Sequence, residues 1–289
     1  MPSYIISRAV IKVLVKVYGR GNIKKLLKRY GIKPKKRLGQ SFLASESYAR
    51  LIVNYCLLNG TQRVYEIGAG LGALTLKAAE KSSYVIAVEI DRRISQALRD
   101  ICQRSYYNVD VVVADALHLG IPIGIDRVLS NVPYSISSQL LIMLVKSVGR
   151  YDLAVLTLQQ EFAERLFARP REKKYCRLTI LTSLLCNVER LASVPGNAFY
   201  PPSAVNSIVV RISPKPTPAV NAELVGRVED FTRKVFPYKR KKLRKALRIA
   251  GIGEDFLVGS RLSKLLDKRV IELTPEEVVQ ITQRLYGTR

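Results

Sequence analysis

Tryptophan is absent from this chain of 289 residues, histidine occurs once, and cysteine four times. Cys56, Cys102, Cys176 and Cys186 are scattered with no C-x-x-C pair, and His118 has no second histidine to join it. That inventory excludes a structural zinc site, so no metal is expected. Unpaired thiols also suit a reducing compartment better than a disulfide framework. No run approaches the roughly 20 uncharged apolar residues that cross a bilayer. Near the N-terminus Ile5, Ile6, Val10, Val13, Leu14 and Val17 have amphipathic spacing, but Arg8, Lys12 and Lys16 interrupt them. This is no signal-peptide core. The expectation is a cytoplasmic chain without a membrane segment, opening with a basic helix that packs on the body or meets RNA. A mitochondrial transit peptide is the minor alternative.

Acidic residues are also scarce: 23 Asp and Glu stand against 48 Lys and Arg, a net charge of +25. Heat-adapted surfaces rich in basic residues carry compensating acids in ion-pair networks, and that compensation is missing. The excess points to a polyanion, with nucleic acid as the default partner. It also opposes self-association, so a monomer is expected. Residues 1–45 hold twelve basic residues and no acid, and a second cluster runs through Arg233, Lys234, Lys239, Arg240, Lys241, Lys242, Arg244, Lys245 and Arg248. The two flank a mixed-charge middle, as expected of two basic surfaces bordering one active-site face.

No internal repeat or low-complexity segment is present. Helical spacing covers 46–58, and strands and helices then alternate. Strands are expected at 62–67, 84–89, 109–114, 126–130 and 153–158, and helices at 74–81, 92–104, 137–148 and 161–168. Apolar strands separated by helices indicate a parallel sheet covered on both faces. Residues 185–194 and 207–212 read as two closing strands. Pro214, Pro216 and Pro218 mark a linker, and 223–289 reads as helices only. There Phe231, Val235 and Phe236 form an apolar face, and Thr274-Pro275-Glu276-Glu277 has the cap and proline of a helix start. The divisions expected are a basic arm (1–33), an α/β domain (34–214) and a small helical domain (215–289).

Val64-Tyr65-Glu66-Ile67-Gly68-Ala69-Gly70-Leu71-Gly72-Ala73 places a glycine turn between a strand and a helix. Glycines there allow a tight turn and close approach of a ligand. Glu89 ends the next strand, where a ribose-binding acid belongs. Gly68, Gly70 and Ala73 satisfy the dinucleotide pattern, so an NAD enzyme is a fair rival on this segment. Three features favour S-adenosylmethionine instead. Glu66 lies two residues before the first glycine, Asp115 follows the third strand where it can accept the adenine amine, and the fourth strand runs into Asn131-Val132-Pro133-Tyr134. That tetrapeptide suits methylation of an exocyclic amine. The Asn131 oxygen and the Val132 carbonyl can both accept from –NH₂, Pro133 fixes the backbone, and Tyr134 offers a ring to stack on a flipped base. His118 reads as a surface or loop-packing residue, because this chemistry needs no base.

Together these residues resemble the ribosomal RNA adenine dimethyltransferase family, over roughly Leu26 to the C-terminus. Lys36-Arg37-Leu38-Gly39-Gln40-Ser41-Phe42-Leu43 is similar to its N-terminal cofactor motif, 66–75 to its glycine loop, Val88-Glu89-Ile90-Asp91 to its ribose motif, Asp115-Ala116 to its adenine-contacting motif, and 131–138 to its catalytic motif. Residues 160–166 and Arg177-Leu178-Thr179 resemble its fifth-strand region. Phe199-Tyr200-Pro201-Pro202 with 207–211 resembles its late target-base motif. The resemblance implies a Rossmann-like class I S-adenosylmethionine-dependent methyltransferase with a C-terminal all-helical RNA-binding domain. It implies dimethylation of N6 on adjacent adenines near the 3′ end of small-subunit rRNA, within a pre-ribosomal particle, and a role in subunit biogenesis. The residues implied for catalysis are Asn131, Val132, Pro133, Tyr134 and Phe199. Those implied for the cofactor are Gln40, Ser41, Leu43, Gly68, Gly70, Glu89, Ile90, Asp115, Ala116 and Asn131.

The long basic lead fits an archaeal member. Two departures stand out: Ser41 where the family often has Asn, and Ser203-Ala204-Val205 where it usually has Pro-Lys-Val. Three other readings stay open at this point: an RNA-binding assembly factor, a DNA amine methyltransferase, and a large-subunit rRNA methyltransferase of the antibiotic-resistance type.

Overall fold

The computed structural model describes residues 17–35, 39–103, 106–216 and 220–287. The amphipathic stretch expected over 5–16, Lys36, Arg37 and Leu38 of the N-terminal motif, and Pro218 of the linker lie outside them.

In chain order the elements are α1 (Arg20–Arg29), β1 (Phe42–Leu43), α2 (Glu46–Asn54), β2 (Arg63–Ile67), α3 (Thr75–Ala79), β3 (Tyr84–Glu89), α4 (Arg92–Cys102), β4 (Val109–Val113), α5 (Ala116–Leu119), β5 (Arg127–Asn131), α6 (Ser137–Lys146), β6 (Leu153–Gln159), α7 (Gln160–Leu166), α8 (Arg177–Leu185), β7 (Cys186–Val194), β8 (Phe199–Tyr200), β9 (Ser207–Pro214), α9 (Ala222–Val235), α10 (Leu243–Ile249) and α11 (Pro275–Tyr286). A seven-stranded sheet has the order β4-β3-β2-β5-β6-β9-β7. Its first five strands are mutually parallel, and β9 runs antiparallel to both β6 and β7. This is the α/β, Rossmann-like architecture expected. The inserted antiparallel strand separates it from the six-stranded dinucleotide order.

The middle of the sheet is the core because inner strands such as β6 and β9 are apolar on both faces. In β6 every side chain from Leu153 to Leu158 is buried, and each fully buried Leu or Val contributes about 1.5–3 kcal/mol. Several of the helices that cover it do so with one apolar stripe. In α4, Ile94, Ala97, Leu98 and Ile101 are buried, and Asp91 caps the helix by accepting from the Arg93 and Ile94 amides. At α11, Thr274 and Glu277 form a reciprocal capping box, with Pro275 in the first turn and Gly287 left-handed at the end.

Some expectations shift. The helix expected to reach Leu58 ends at Asn54, because the chain turns through Leu57 at φ +53°. β5 extends one residue further than expected, since Asn131 still pairs with Thr157 on β6. The helix expected over 161–168 is present as α7, Gln160–Leu166, and residues 177–179, for which no element was expected, open a second helix, α8. Thr179 starts α8 by accepting from the Cys176 amide and donating to the Arg165 carbonyl.

Two further features position the site. β1 pairs antiparallel with β8, Phe42 opposite Tyr200 and Leu43 opposite Phe199. The helices after β9 share a core with the sheet layer. Tyr175 is buried, donates its hydroxyl to the Leu273 carbonyl (2.8 Å), and packs its ring 6.0 Å from that of Phe236. Lys146 on α6 also pairs with Glu229 on α9. No helix among the described residues is long and apolar enough to cross a membrane.

Candidate active site

The chain order reverses between β2 and β5, and ligands of open α/β sheets bind beyond the strand ends at that point. A cavity lies there. Its walls come from 39–43, 66–71, 88–90, 114–116 and 131–136, with Phe199 and several apolar residues. All fourteen site residues named from the sequence, from Gln40 to Phe199, line this one cavity.

Gly68 turns the chain at φ +71°, where a Cβ would sit 3.3 Å from Pro133 Cγ. The glycine loop and the Asn-x-Pro-Tyr turn therefore pack directly together. Gly39 lies at φ +62°, and a Cβ there would lie 2.8 Å from the Tyr134 amide nitrogen. Glu89 is buried, and its carboxylate accepts from the Gly70 amide and the Asp91 amide, both at 3.0 Å. Burial raises its pKa although those backbone bonds oppose the shift. Asp115 caps α5 through Leu117 N (2.9 Å), and His118 Nδ1 lies 3.1 Å from its other oxygen. The imidazole is 88% exposed, consistent with a surface role. Among the described residues no group of three or more His, Cys, Asp or Glu could hold a metal.

Two polar atoms in the cavity wall are buried without a partner among the described residues: Gln40 Nε2 and Glu66 Oε2. Such groups are costly unless something else satisfies them. Burial pushes the Glu66 carboxyl up to about 8, opposed by the hydrogen-bonding groups of Thr75 and helped by the nearby Glu89. A raised folded-state pKa binds a proton that the unfolded chain releases from about pH 4.5 upward. The protonated form therefore contributes stability at low pH that is lost as pH rises towards 8. Glu66→Gln, neutral at every pH, should gain stability relative to wild type between pH 5 and 8, by about one to a few kcal/mol. Denaturant melts of the ligand-free proteins at both pH values check this, and parallel pH profiles would refute it.

Asn131 closes β5. Its amide Nδ2 donates to the Ser41 carbonyl at 3.2 Å, and the next amide, Val132 N, is held by Thr157 O at 3.1 Å. With Nδ2 committed, Oδ1 accepts no hydrogen bond among the described residues and remains an acceptor in the cavity wall. Ser41 turns its hydroxyl to the Pro201 carbonyl (3.0 Å), so its backbone, not its side chain, meets Asn131. Tyr134 donates its hydroxyl to Ser203 Oγ at 3.1 Å, and Ser203 Oγ donates to the Val205 carbonyl at 2.9 Å. Phe199 is 1% exposed and lies in the cavity wall while packing in the core, so it serves both surfaces.

Val17, Ile23, Ile94 and Ile136 also line the cavity and are not among the site residues expected from the sequence. Ile136 lies within the 131–138 motif, and Ile94 follows the ribose motif by three residues. Val17 and Ile23 sit in the basic lead, where charge hides a buried apolar pair.

The family model described as "Ribosomal RNA adenine dimethylase" matches residues 31–285. A Methanopyrus kandleri protein named "Probable ribosomal RNA small subunit methyltransferase A" is 36% identical over 269 residues, 89% of this chain and 94% of that one. A Pyrococcus abyssi protein of the same name is 35% identical over 270 residues, 91% and 96% of the two chains. Among solved structures, a dimethyladenosine transferase from Plasmodium falciparum superposes with TM-score 0.72 at 26% identity, covering 85% of this chain and 98% of that one. The 23S rRNA methyltransferase ErmE gives 0.59 at 25% identity, covering 85% and 99%.

Proposed function

Because the chain belongs to the ribosomal RNA adenine dimethylase family, we propose that it dimethylates N6 of adjacent adenines near the 3′ end of small-subunit rRNA, with Asn131 aligning the amine. The observation that carries the assignment of Asn131 is its fixed orientation: Nδ2 is tied to Ser41 O and Oδ1 is left to accept.

The cavity fits S-adenosylmethionine. Gln40 Nε2 and Glu66 Oε2 are buried and unpartnered among the described residues, and a Cβ at Gly68 would crowd the cradle. In this reading Glu89 holds the ribose hydroxyls, Asp115 accepts the adenine amine, and Gln40, Leu43, Gly70, Ile90 and Ala116 complete the walls, with Ser41 acting through its backbone. The cofactor supplies an electrophilic methyl group on a sulfonium. Adenine N6 is a poor nucleophile because its lone pair is delocalised into the ring. Asn131 Oδ1 and the Val132 carbonyl accept its two hydrogens, which favours a tetrahedral nitrogen and localises the lone pair. Tyr134 and Phe199 hold the ring between aromatic faces, and Pro133 fixes the turn. No strong base is required, since the proton becomes acidic only as the N–C bond forms. Catalysis is alignment plus hydrogen bonding to the transition state.

The exposed cations of α10 and the segment before it, including Arg240, Lys241, Lys245 and Arg248, support an RNA-binding role for 215–289 beside the methyltransferase unit (34–214) and the basic arm (1–33). The substrate is then rRNA in an assembling small subunit, met by a monomer.

The test incubates the protein with radiolabelled S-adenosylmethionine and small subunits lacking adenine dimethylation, then identifies labelled nucleosides. Label in N6,N6-dimethyladenosine is expected. Label appearing instead on large subunits or duplex DNA would overturn the substrate assignment, and tight subunit binding without label would indicate an assembly factor.

Ser203, a departure from the family pattern, tethers Tyr134. One neutral hydrogen bond contributes about 1 kcal/mol, so Ser203→Ala should lower kcat/KM for RNA roughly fivefold and leave cofactor affinity unchanged. Steady-state kinetics with calorimetry checks this, and an unchanged kcat/KM would remove Ser203 from the site.

A further inference from the structure

Residues 17–30 precede the segment matched to the family model, which begins at residue 31, yet two of them, Val17 and Ile23, line the cavity. Val17 is 2% exposed and Ile23 0%, and both line the same space as the glycine loop. Between them the chain is pinned at three points on three different elements. Tyr18 donates its hydroxyl to the Ala73 carbonyl of the glycine loop at 2.7 Å. The Gly19 amide donates to the Ala44 carbonyl just after β1, also at 2.7 Å. Arg20 Nη2 donates to the Asn197 carbonyl, two residues before Phe199, at 2.7 Å. The Asn22 amide folds back on the Tyr18 carbonyl (2.8 Å), and Lys77 Nζ stands 5.7 Å from the Tyr18 ring centroid.

We propose that Val17 to Arg20 is a strap that retains S-adenosylmethionine: Val17, with Ile23 behind it, seals the cavity with apolar surface, and Tyr18 fastens that seal to the glycine loop. This rests on the cofactor assignment of the preceding section. The strap's anchors explain why it acts on retention and not on chemistry. It touches the loop that cradles the cofactor and the β1–β8 pair behind it, and none of its bonds reaches Asn131 or Tyr134. An apolar wall excludes water from the bound ligand, and the tyrosine tether resists the opening that release requires.

The test uses the full chain. Calorimetry with S-adenosylhomocysteine gives affinity, and rapid dilution after loading with tritiated S-adenosylmethionine gives the release rate. A carboxylate buried in an apolar wall without a partner is costly, so Val17→Asp should weaken binding at least about tenfold, whereas Val17→Leu should stay within twofold. Tyr18→Phe keeps the ring and removes one hydrogen bond, so release should quicken roughly fivefold. Wild-type protein that binds neither ligand would refute the cofactor assignment itself. Wild type that binds, with Val17→Asp and Tyr18→Phe both within twofold of it, would overturn the strap alone. Should Val17→Asp fail to fold, the release rate of Tyr18→Phe decides.

Discussion

Asn131→Ala is expected to lower methyl transfer by about 10²- to 10³-fold or more, the size of effect seen when one preorganised transition-state hydrogen-bonding group is removed. Cofactor affinity should change by no more than a few fold. The two readouts part because the Asn131 Nδ2 bond to the Ser41 carbonyl orients the amide so that Oδ1 faces the target amine. Val132 is held by Thr157 O and buried, so the turn should survive truncation of its neighbour. Single-turnover transfer to undermethylated subunits, with calorimetry on the same preparation, measures both. Turnover at the wild-type rate would sink the role given to Asn131.

Glu89→Ala should show the reverse pattern. A hydrogen bond to a charged group is worth about 1.5–3 kcal/mol, so losing a carboxylate that grips two ribose hydroxyls should weaken cofactor binding by about 100-fold. The same side chain accepts from Gly70 N and Asp91 N, so its loss also frees the glycine loop. At saturating cofactor much of the turnover should return, as it should not for Asn131→Ala. A dissociation constant within threefold of wild type would exclude Glu89 as the ribose ligand.

Much of this was legible in the residues because the decisive signals are local. A strand that ends in Glu89 or Asn131 announces itself by an apolar run and a polar stop, and Asp115 follows the valine run of β4. β3 was located to the residue, and the other parallel strands to within one. What escaped had no local signal. Two-residue strands such as β1 and β8 carry no period, so the pairing of Leu43 with Phe199 across the chain follows from tertiary packing alone. α8 is buried nearly all round, with Leu178, Ile180, Leu181, Leu184 and Leu185 inside, so it lacks the polar face that marks a helix. Charge masked α1. Its sequence RGNIKKLLKR falls in what reads as a basic arm, so the apolar face of Ile23, Leu26 and Leu27, which are buried, is not picked out. The loss of Pro-Lys at 203–204 was visible, but the Tyr134–Ser203 bond that accompanies it was not.

The wedge of Tyr175 between α8 and the C-terminal helices has a consequence for how an adenine is chosen. Its ring against Phe236 and its hydroxyl on Leu273 tie the C-terminal helices into the same hydrophobic core as the sheet that carries Asn131. If those helices grip RNA as proposed, the molecule works as a caliper. One jaw rests on phosphates and the other admits a base, and the fixed gap between them selects by distance what the cavity alone could not tell apart, one adenine from another.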